Sequence, residues 1–207
     1  MPVTLDALST HLAQAWRETG RVEIVAAALA VAYLLLAIRQ SILCWVAAFV
    51  SSCLYVYVMF HARLYMESAL NAFYAAMAIY GFRQWQPTGE HAALAVHRWP
   101  ASRHFAALAA IVVLAALSAV FLRRYTGSPS PFLDSLVTWS SVFATYLVAR
   151  KVYENWHWWF VIDAVCLGLY VWRHLYLTVL LFAIYLTLIC VGVREWRRSL
   201  VGAANAT

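Results

Sequence analysis

The chain alternates between long apolar runs and short segments that carry the charges. Seven predominantly apolar runs follow one another, at 24–38, 40–60, 64–82, 104–122, 135–149, 155–172 and 175–193. Because a helix needs about 20 residues to cross a bilayer, this pattern predicts an all-α integral membrane protein with seven transmembrane helices. The first and fifth runs hold only 15 residues each. Either flanking residues extend these two helices, or Arg39 and Arg150 snorkel to the interface.

Composition supports a membrane protein. Of the 207 residues, 65% are hydrophobic and 12% are charged, whereas soluble domains have about half and a quarter. So much apolar surface requires a lipid bilayer as partner. The net charge of +6 does not indicate nucleic acid, since the arginines fall singly or in pairs between apolar runs and form no basic stripe.

An internal repeat divides the chain into two halves. Trp45 and Trp156 stand 111 positions apart. The same offset pairs Leu64 with Leu175, Tyr65 with Tyr176, Tyr74 with Tyr185, Gly81 with Gly192, Arg83 with Arg194 and Trp85 with Trp196. We expect the paired glycines to let the third and seventh helices pack closely.

Three helices per repeat fix the topology. The resulting division is an extramembrane or interfacial segment 1–22, a first repeat 23–85, a cytoplasmic loop 86–103, a linker helix 104–122, a second repeat 134–198 and a tail 199–207. One linker helix makes the two repeats parallel, which is a 3+1+3 arrangement with its substrate near mid-membrane between the halves. Nine arginine and lysine residues lie on one side and six on the N-terminal side. The positive-inside rule then predicts the N-terminus outside and the C-terminus inside.

Polar residues inside the apolar runs are candidates for a binding site. Asp163 lies near the middle of the sixth run, where an isolated carboxylate costs on the order of 3 kcal/mol. It either lines a cavity and meets substrate, or it is a structural aspartate that bonds a neighbouring helix or stays protonated. Asn71 and Tyr74 share one face of the third helix. Ser141 and Thr145 belong to a polar stripe that we assign to helix packing.

An aromatic face adjoins the acid. Trp156, Trp159 and Asp163 are spaced i, i+3, i+7, and such a face suits a flat cationic ring through stacking and cation–π attraction. Trp45, the repeat equivalent of Trp156, offers a matching wall. A place in the interfacial aromatic belt is the alternative for Trp156. No catalytic constellation, metal-ligand spacing or phosphate-binding loop occurs, so we expect no cofactor, no metal and no enzymatic activity.

The second repeat resembles the Pnu-type vitamin transporter family. The resemblance rests on Asp134-Ser135, on 147–151 (LVARK) and on 154–159 (ENWHWW), with 79–82 (IYGF) as a first-half counterpart. It implies a fold similar to the SWEET sugar transporters, a homotrimer in a bacterial inner membrane, and facilitated diffusion with the substrate trapped by phosphorylation. Members carry nicotinamide riboside, thiamine or riboflavin. Many have glutamine near the position of Asn71 and asparagine near that of Asp163, so the resemblance alone leaves the substrate open.

The cationic rings of nicotinamide riboside and thiamine suit the tryptophan–aspartate face, whereas riboflavin is neutral and larger. Nicotinamide riboside is therefore the first expectation and thiamine the second. The expected roles are a ring sandwich by Trp45, Trp156 and Trp159, charge compensation by Asp163, and hydrogen bonds from Asn71, Tyr74 and Tyr185. A membrane scaffold or a substrate-binding subunit of a larger transporter is the alternative from another class.

Overall fold

The computed structural model describes residues 21–63, 65–87, 94–125, 130–172 and 176–204. Seven α-helices make up almost all of this part: α1 Arg21–Ile38, α2 Leu43–His61, α3 Tyr65–Trp85, α4 Ala101–Tyr125, α5 Pro131–Ala149, α6 Asn155–Trp172 and α7 Tyr176–Ala204. The prediction of an all-α chain with seven helices is confirmed. Most of the predicted segment 1–22, part of the loop 86–103 and the end of the tail 199–207 lie outside the described residues.

The two short apolar runs form longer helices. α1 begins at Arg21 and has 18 residues, and α5 begins at Pro131 and has 19. Proline suits the first turn of a helix because the amide hydrogen it lacks has no partner there. Both helices therefore gain their extra length at the N-terminal end, and both end just before Arg39 and Arg150.

Four helices are long and apolar enough to span a membrane by length and composition alone. These are α2, α4, α5 and the segment Thr178–Val201 within α7, while the apolar part of α1 is the shorter segment Ile24–Ile38. α3 and α6 carry Asn71 and Asp163 inside their apolar runs. Polar positions of this kind lower the mean hydropathy of a helix that lines a cavity.

Six of the helices form a closed ring, and α4 lies outside it. Within each repeat, consecutive helices pack together, and the two halves meet where α1 packs against α7 and α3 packs against α5. These two seams are repeat-equivalent. α4 packs against α5 and leaves Phe105, Leu117 and Val120 65–70% exposed, as a lipid-facing helix does.

The first helix of each repeat ends in the same hydrogen-bonded turn. Gln40 and Lys151 adopt positive φ angles of 53° and 51°. The amide of Ser41 donates to the Leu36 carbonyl, and the amide of Val152 donates to the Leu147 carbonyl, at 3.0 and 2.9 Å. This is the Schellman motif, which satisfies carbonyls that a helix end leaves unpaired.

Each repeat also donates a hydrogen bond to the end of the first helix of the other repeat. The indole Nε1–H of Trp85, at the end of α3, donates to the Ala149 carbonyl of α5 at 3.1 Å. The indole Nε1–H of Trp196, in α7, donates to the Ala37 carbonyl of α1 at the same distance. A reciprocal pair of indole bonds thus joins the two halves on the arginine-rich side.

A tryptophan layer extends between these two bonds. We use that name for Trp45, Trp85, Trp196 and Trp156, which are at most 4% exposed. Trp45 meets Trp85 edge to face at a ring-centroid distance of 5.4 Å, and Trp156 meets Trp196 in the same way at 5.4 Å. The Trp85 and Trp196 centroids are 6.3 Å apart, so the layer is continuous across both repeats.

The paired glycines make room for this layer. A Cβ atom added at Gly81 would overlap the Trp45 indole, and one added at Gly192 would overlap the Trp156 indole. Helix α3 packs closely on Trp45 of α2 at Gly81, and helix α7 packs closely on Trp156 of α6 at Gly192.

Candidate functional site

A cavity of about 370 Å³ lies inside the six-helix ring, with lining residues from both repeats. Its volume falls within the range of small-molecule sites. All seven residues predicted to bind substrate line this one cavity: Trp45, Asn71, Tyr74, Trp156, Trp159, Asp163 and Tyr185. The structure therefore brings the predicted residues together, while their roles in binding stay predictions.

Asp163 places a carboxylate on the cavity wall. It is 6% exposed, and within the described part of the chain it forms no hydrogen bond or ion pair. Among the described residues that line the cavity there is no lysine, arginine or histidine. A carboxylate in apolar surroundings is costly unless something compensates its charge. This arrangement is suited to a ligand that brings a positive charge with it.

The three tryptophans of the cavity differ in how much ring surface they offer. Trp45 and Trp156 are each 2% exposed, with their rings against a glycine and edge to face with another tryptophan. Trp159 is only partly buried and lies on the same helix face as Asp163. In this conformation, Trp159 is the tryptophan best placed to stack on a ring, and the sandwich with Trp45 and Trp156 stays a prediction.

Within the described part of the chain, three buried polar atoms in or next to the tryptophan layer lack a hydrogen-bond partner. They are Nε1 of Trp45, Nε1 of Trp156 and Oδ1 of Asn155, and all three residues line the cavity. The Asn155 Nδ2 group donates to the Val152 carbonyl at 2.6 Å, which fixes the amide. Buried polar atoms without a partner are uncommon in folded proteins, and a water molecule or a polar ligand group would satisfy these two donors and one acceptor. Asn155 belongs to the 154–159 segment on which the family resemblance rests, and it was not among the predicted site residues.

Further hydrogen-bonding groups lie on α3 and α5. Asn71 donates from Nδ2 to the Glu67 carbonyl at 2.8 Å, which leaves its Oδ1 as a possible acceptor for ligand. The Tyr74 side chain lies next to that of Ser141, and the Thr145 hydroxyl donates to the Ser141 carbonyl at 2.8 Å. Ser141 and Thr145 both line the cavity, and the Thr145 hydroxyl bonds within its own helix, so their assignment to helix packing alone was incomplete.

Other lining residues carried no signal in the sequence. Tyr33, Ala48, Ser52, Tyr55, Tyr170 and Phe182 belong to this group. In so apolar and aromatic a chain, small and aromatic side chains at helical positions do not stand out. Among the described residues, no group of three His, Cys, Asp or Glu side chains forms a possible metal site.

Comparison with known proteins gives consistent results. Residues 21–198 match the model of a family described as nicotinamide mononucleotide transporter. The riboflavin/roseoflavin transporter RibM of Streptomyces davaonensis is 27% identical over 167 residues, which cover 79% of this chain and 78% of RibM. The nicotinamide riboside transporter PnuC of Escherichia coli is 26% identical over 168 residues, which cover 69% of this chain and 70% of PnuC.

A solved structure shares the fold. The crystal structure of the vitamin B3 transporter PnuC superposes with a TM-score of 0.68 and 22% sequence identity, covering 84% of this chain and 79% of the other. At this level of identity the likeness concerns the fold, which in both chains is that of a helical membrane protein.

Proposed function

The chain belongs to the nicotinamide mononucleotide transporter family, and from this membership we propose that it takes up a vitamin-like molecule with a cationic aromatic ring, nicotinamide riboside first. Membership confirms the resemblance to the Pnu-type vitamin transporters and the prediction of a membrane transporter. The alternative of a membrane scaffold or substrate-binding subunit is not favoured, since the relatives are transporters. The named relatives carry different vitamins, so the choice of substrate has to come from this chain's own cavity.

One observation carries the substrate assignment. Asp163 is a buried carboxylate on a cavity wall whose described residues include no cationic side chain. Nicotinamide riboside brings a pyridinium and thiamine brings a thiazolium, and either ring would supply the missing charge. Riboflavin is neutral and would leave the carboxylate uncompensated at a cost of several kcal/mol. Thiamine is therefore the second candidate, and riboflavin ranks below both.

The cavity provides a place for each part of nicotinamide riboside. The pyridinium would stack on Trp159, beside the Asp163 carboxylate. Oδ1 of Asn71 is free to accept from the carboxamide, and the Tyr74 and Tyr185 hydroxyls face the same volume. The unpartnered atoms of Trp45, Trp156 and Asn155 would bind ribose hydroxyls.

The mode of transport follows from the two parallel repeats. Rocking at the α1–α7 and α3–α5 seams would expose the cavity to each side in turn. We propose facilitated diffusion in a bacterial inner membrane, with the N-terminus outside and the arginine-rich side in the cytoplasm. We also predict that the protein forms the homotrimer that the family resemblance implies.

The test uses a pair of ligands that differ in charge. Purified protein is titrated with nicotinamide riboside and with its reduced form, whose dihydropyridine ring is neutral, and tryptophan fluorescence reports binding. The oxidised form should bind at least about tenfold more tightly, which corresponds to about 1.4 kcal/mol. Asp163→Asn should remove this preference. Glu67→Gln, which alters an exposed carboxylate of α3 outside the cavity, should keep it.

Thiamine and riboflavin complete the panel. If thiamine binds more tightly than nicotinamide riboside and also depends on Asp163, the second candidate takes its place. Binding of riboflavin alone, unchanged in Asp163→Asn, would contradict the charge argument. Failure of all of these ligands to bind would refute the assignment to a vitamin with a cationic ring.

A further inference from the structure

The repeat register relates the two walls of the cavity to each other. Positions 111 apart lie at equivalent places in the two halves, on opposite sides of the axis between them. Two equivalent pairs that line the cavity carry the same side chain, Trp45 with Trp156 and Tyr74 with Tyr185. Where the halves match, the cavity offers the same chemistry on both sides.

The match breaks at the aromatic and acidic positions. Trp159 of α6 corresponds to Ala48 of α2, and Asp163 corresponds to Ser52. All four residues line the cavity, and in each helix the two are spaced i, i+4 and share a face. The α6 wall therefore offers an indole and a carboxylate where the α2 wall offers a methyl group and a hydroxyl.

We propose that Ala48 and Ser52 form the second wall of a slot for the substrate ring, opposite Trp159 and Asp163, and that they determine which ring the cavity admits. This inference rests on the proposed function and names the specificity residues of the same site. A tryptophan at position 48, as the other repeat has, would occupy the volume that a ring stacked on Trp159 needs. The small side chain leaves that volume to the substrate.

Ser52 is available to the substrate, unlike its neighbour in the chain. The Ser51 hydroxyl donates to the Ala26 carbonyl at 2.8 Å, so it joins α2 to α1. Ser52 is 7% exposed and forms no side-chain hydrogen bond within the described part of the chain. Its hydroxyl is left for a polar substituent on the ring, on the side away from the carboxylate.

The broken symmetry also fixes one binding orientation. Trp159 and Asp163 place a stacking surface and a counter-charge side by side on α6, whereas the described residues of α2 that line the cavity include no acidic side chain. The ring would therefore lie towards the second repeat, with its far face against Ala48. Asn71, whose repeat equivalent is the apolar Phe182, is a hydrogen-bonding group that only the first repeat offers.

The first experiment narrows and widens the slot. Ala48→Leu should weaken the binding of nicotinamide riboside by at least about tenfold, because the added carbons enter the space of the stacked ring. Ala48→Gly should raise the affinity for the tricyclic ring of riboflavin relative to nicotinamide riboside. Ala47→Leu makes the same change one position earlier, outside the cavity lining, and should leave both affinities within about twofold.

The outcomes separate this inference from the proposed function. If the wild-type protein binds nicotinamide riboside and Ala48→Leu binds it equally well, the slot wall is refuted while the proposed function stands. If the wild-type protein binds none of the ligands, the proposed function itself has failed.

A volume-conserving exchange covers the case in which Ala48→Leu does not fold. Ala48→Trp combined with Trp159→Ala moves the indole to the opposite wall and keeps the total side-chain volume. The double variant should bind nicotinamide riboside more tightly than Trp159→Ala alone. Equal or weaker binding by the double variant would overturn the inference, because position 48 would then not face the ring.

Discussion

Single residues show how closely the tryptophan layer is packed. A methyl group added at Gly81 or Gly192 would overlap the indole of Trp45 or Trp156. We expect Gly81→Ala and Gly192→Ala each to lower the free energy of unfolding by about 1–3 kcal/mol, as overpacking does. Thermal unfolding of the purified protein, followed by size-exclusion analysis, measures the effect.

The chain supplies a matched control for these variants. Gly168 lies inside α6, and a Cβ there would meet no atom within 4 Å. Gly168→Ala should be neutral or stabilise by up to about 1 kcal/mol, since alanine favours a helix over glycine. Equal effects at all three glycines would show that helix propensity, and not contact with tryptophan, governs these positions.

Two adjacent tryptophans separate binding from stability. The Trp158 Nε1–H donates to Nδ1 of His104 at 3.2 Å, and its ring packs on Phe143 at a centroid distance of 5.0 Å. Trp159 lines the cavity. Trp158→Ala should lower the free energy of unfolding by about 3–5 kcal/mol. The fraction of this variant that folds should keep the ligand affinity of the wild-type protein. Trp159→Ala should weaken binding of nicotinamide riboside at least about tenfold. Fluorescence titrations in which Trp158→Ala weakens binding and Trp159→Ala does not would contradict these assignments.

Among single residues, those that could be predicted from the sequence are the polar residues that are unusual inside a membrane-spanning run. Asp163 and Asn71 stand out because polar groups in lipid are costly, and the structure places both on the cavity. Ala48 and Ser52 could not be found in this way, since small residues are common wherever membrane helices pack. Asn155 begins its helix, where a polar residue is unremarkable, and only its unpartnered Oδ1 reveals it.

The helix ends join the two repeats. Trp85 and Trp196 each donate an indole hydrogen to a carbonyl near the end of the other repeat's first helix. The Lys151 ammonium lies over the Trp85 ring at 4.5 Å, and burial lowers the pKa of this lysine. These contacts lie on the arginine-rich side, so the seam between the repeats is held together at one end of the cavity.

Removing the indole donors should loosen this seam. Trp85→Phe and Trp196→Phe keep an aromatic ring but leave a helix-end carbonyl without its indole partner. Each change should cost about 1–3 kcal/mol, the usual effect of an unsatisfied buried group. Thermal unfolding compares these variants with Trp172→Phe, whose side chain is 73% exposed. If Trp172→Phe proves as destabilising as the other two, the reciprocal bonds do not stabilise the fold.

Helix number could be predicted from the sequence, whereas helix ends could not. Charged residues divide the chain into seven apolar runs, and all seven became helices. The short fifth run gave no sign that its helix starts at Pro131, because the charged residue Asp134 interrupts the apolar pattern there. The repeat register also pointed to Gln40 and Lys151 as equivalents, but their positive φ angles needed backbone coordinates.

At the scale of the whole molecule, the cavity has a tryptophan layer at one end. Trp45 and Trp156 of that layer line the cavity on the arginine-rich side, and the lining continues along the helices to Tyr55 and to Tyr170, two residues before the end of α6. A ligand would thus enter from the arginine-poor side. With the proposed orientation this side faces outwards, as uptake of an external vitamin requires.

Cys166 is a reporter for that direction of entry. It lines the cavity and is a free thiol, as are Cys44, Cys53 and Cys190. With those three changed to alanine, a cationic, membrane-impermeant methanethiosulfonate reagent should modify Cys166 in right-side-out vesicles, and nicotinamide riboside should slow the reaction by filling the cavity. A variant that retains only Cys44, which is fully buried near the tryptophan layer, should react much more slowly, since thiol reactivity requires access.

An independent marker of topology makes the result decisive. Protease cleavage of a C-terminal tag in the same vesicles reports which side the arginine-rich end occupies. Modification of Cys166 from the side opposite the tag supports both the proposed orientation and closure by the tryptophan layer. Modification from the tag's own side would mean that the layer does not seal the cavity in the membrane. Cleavage of the tag by protease added outside would show that the C-terminus faces outwards, opposite to the proposed orientation. The modest excess of nine basic residues over six would then not have determined the topology.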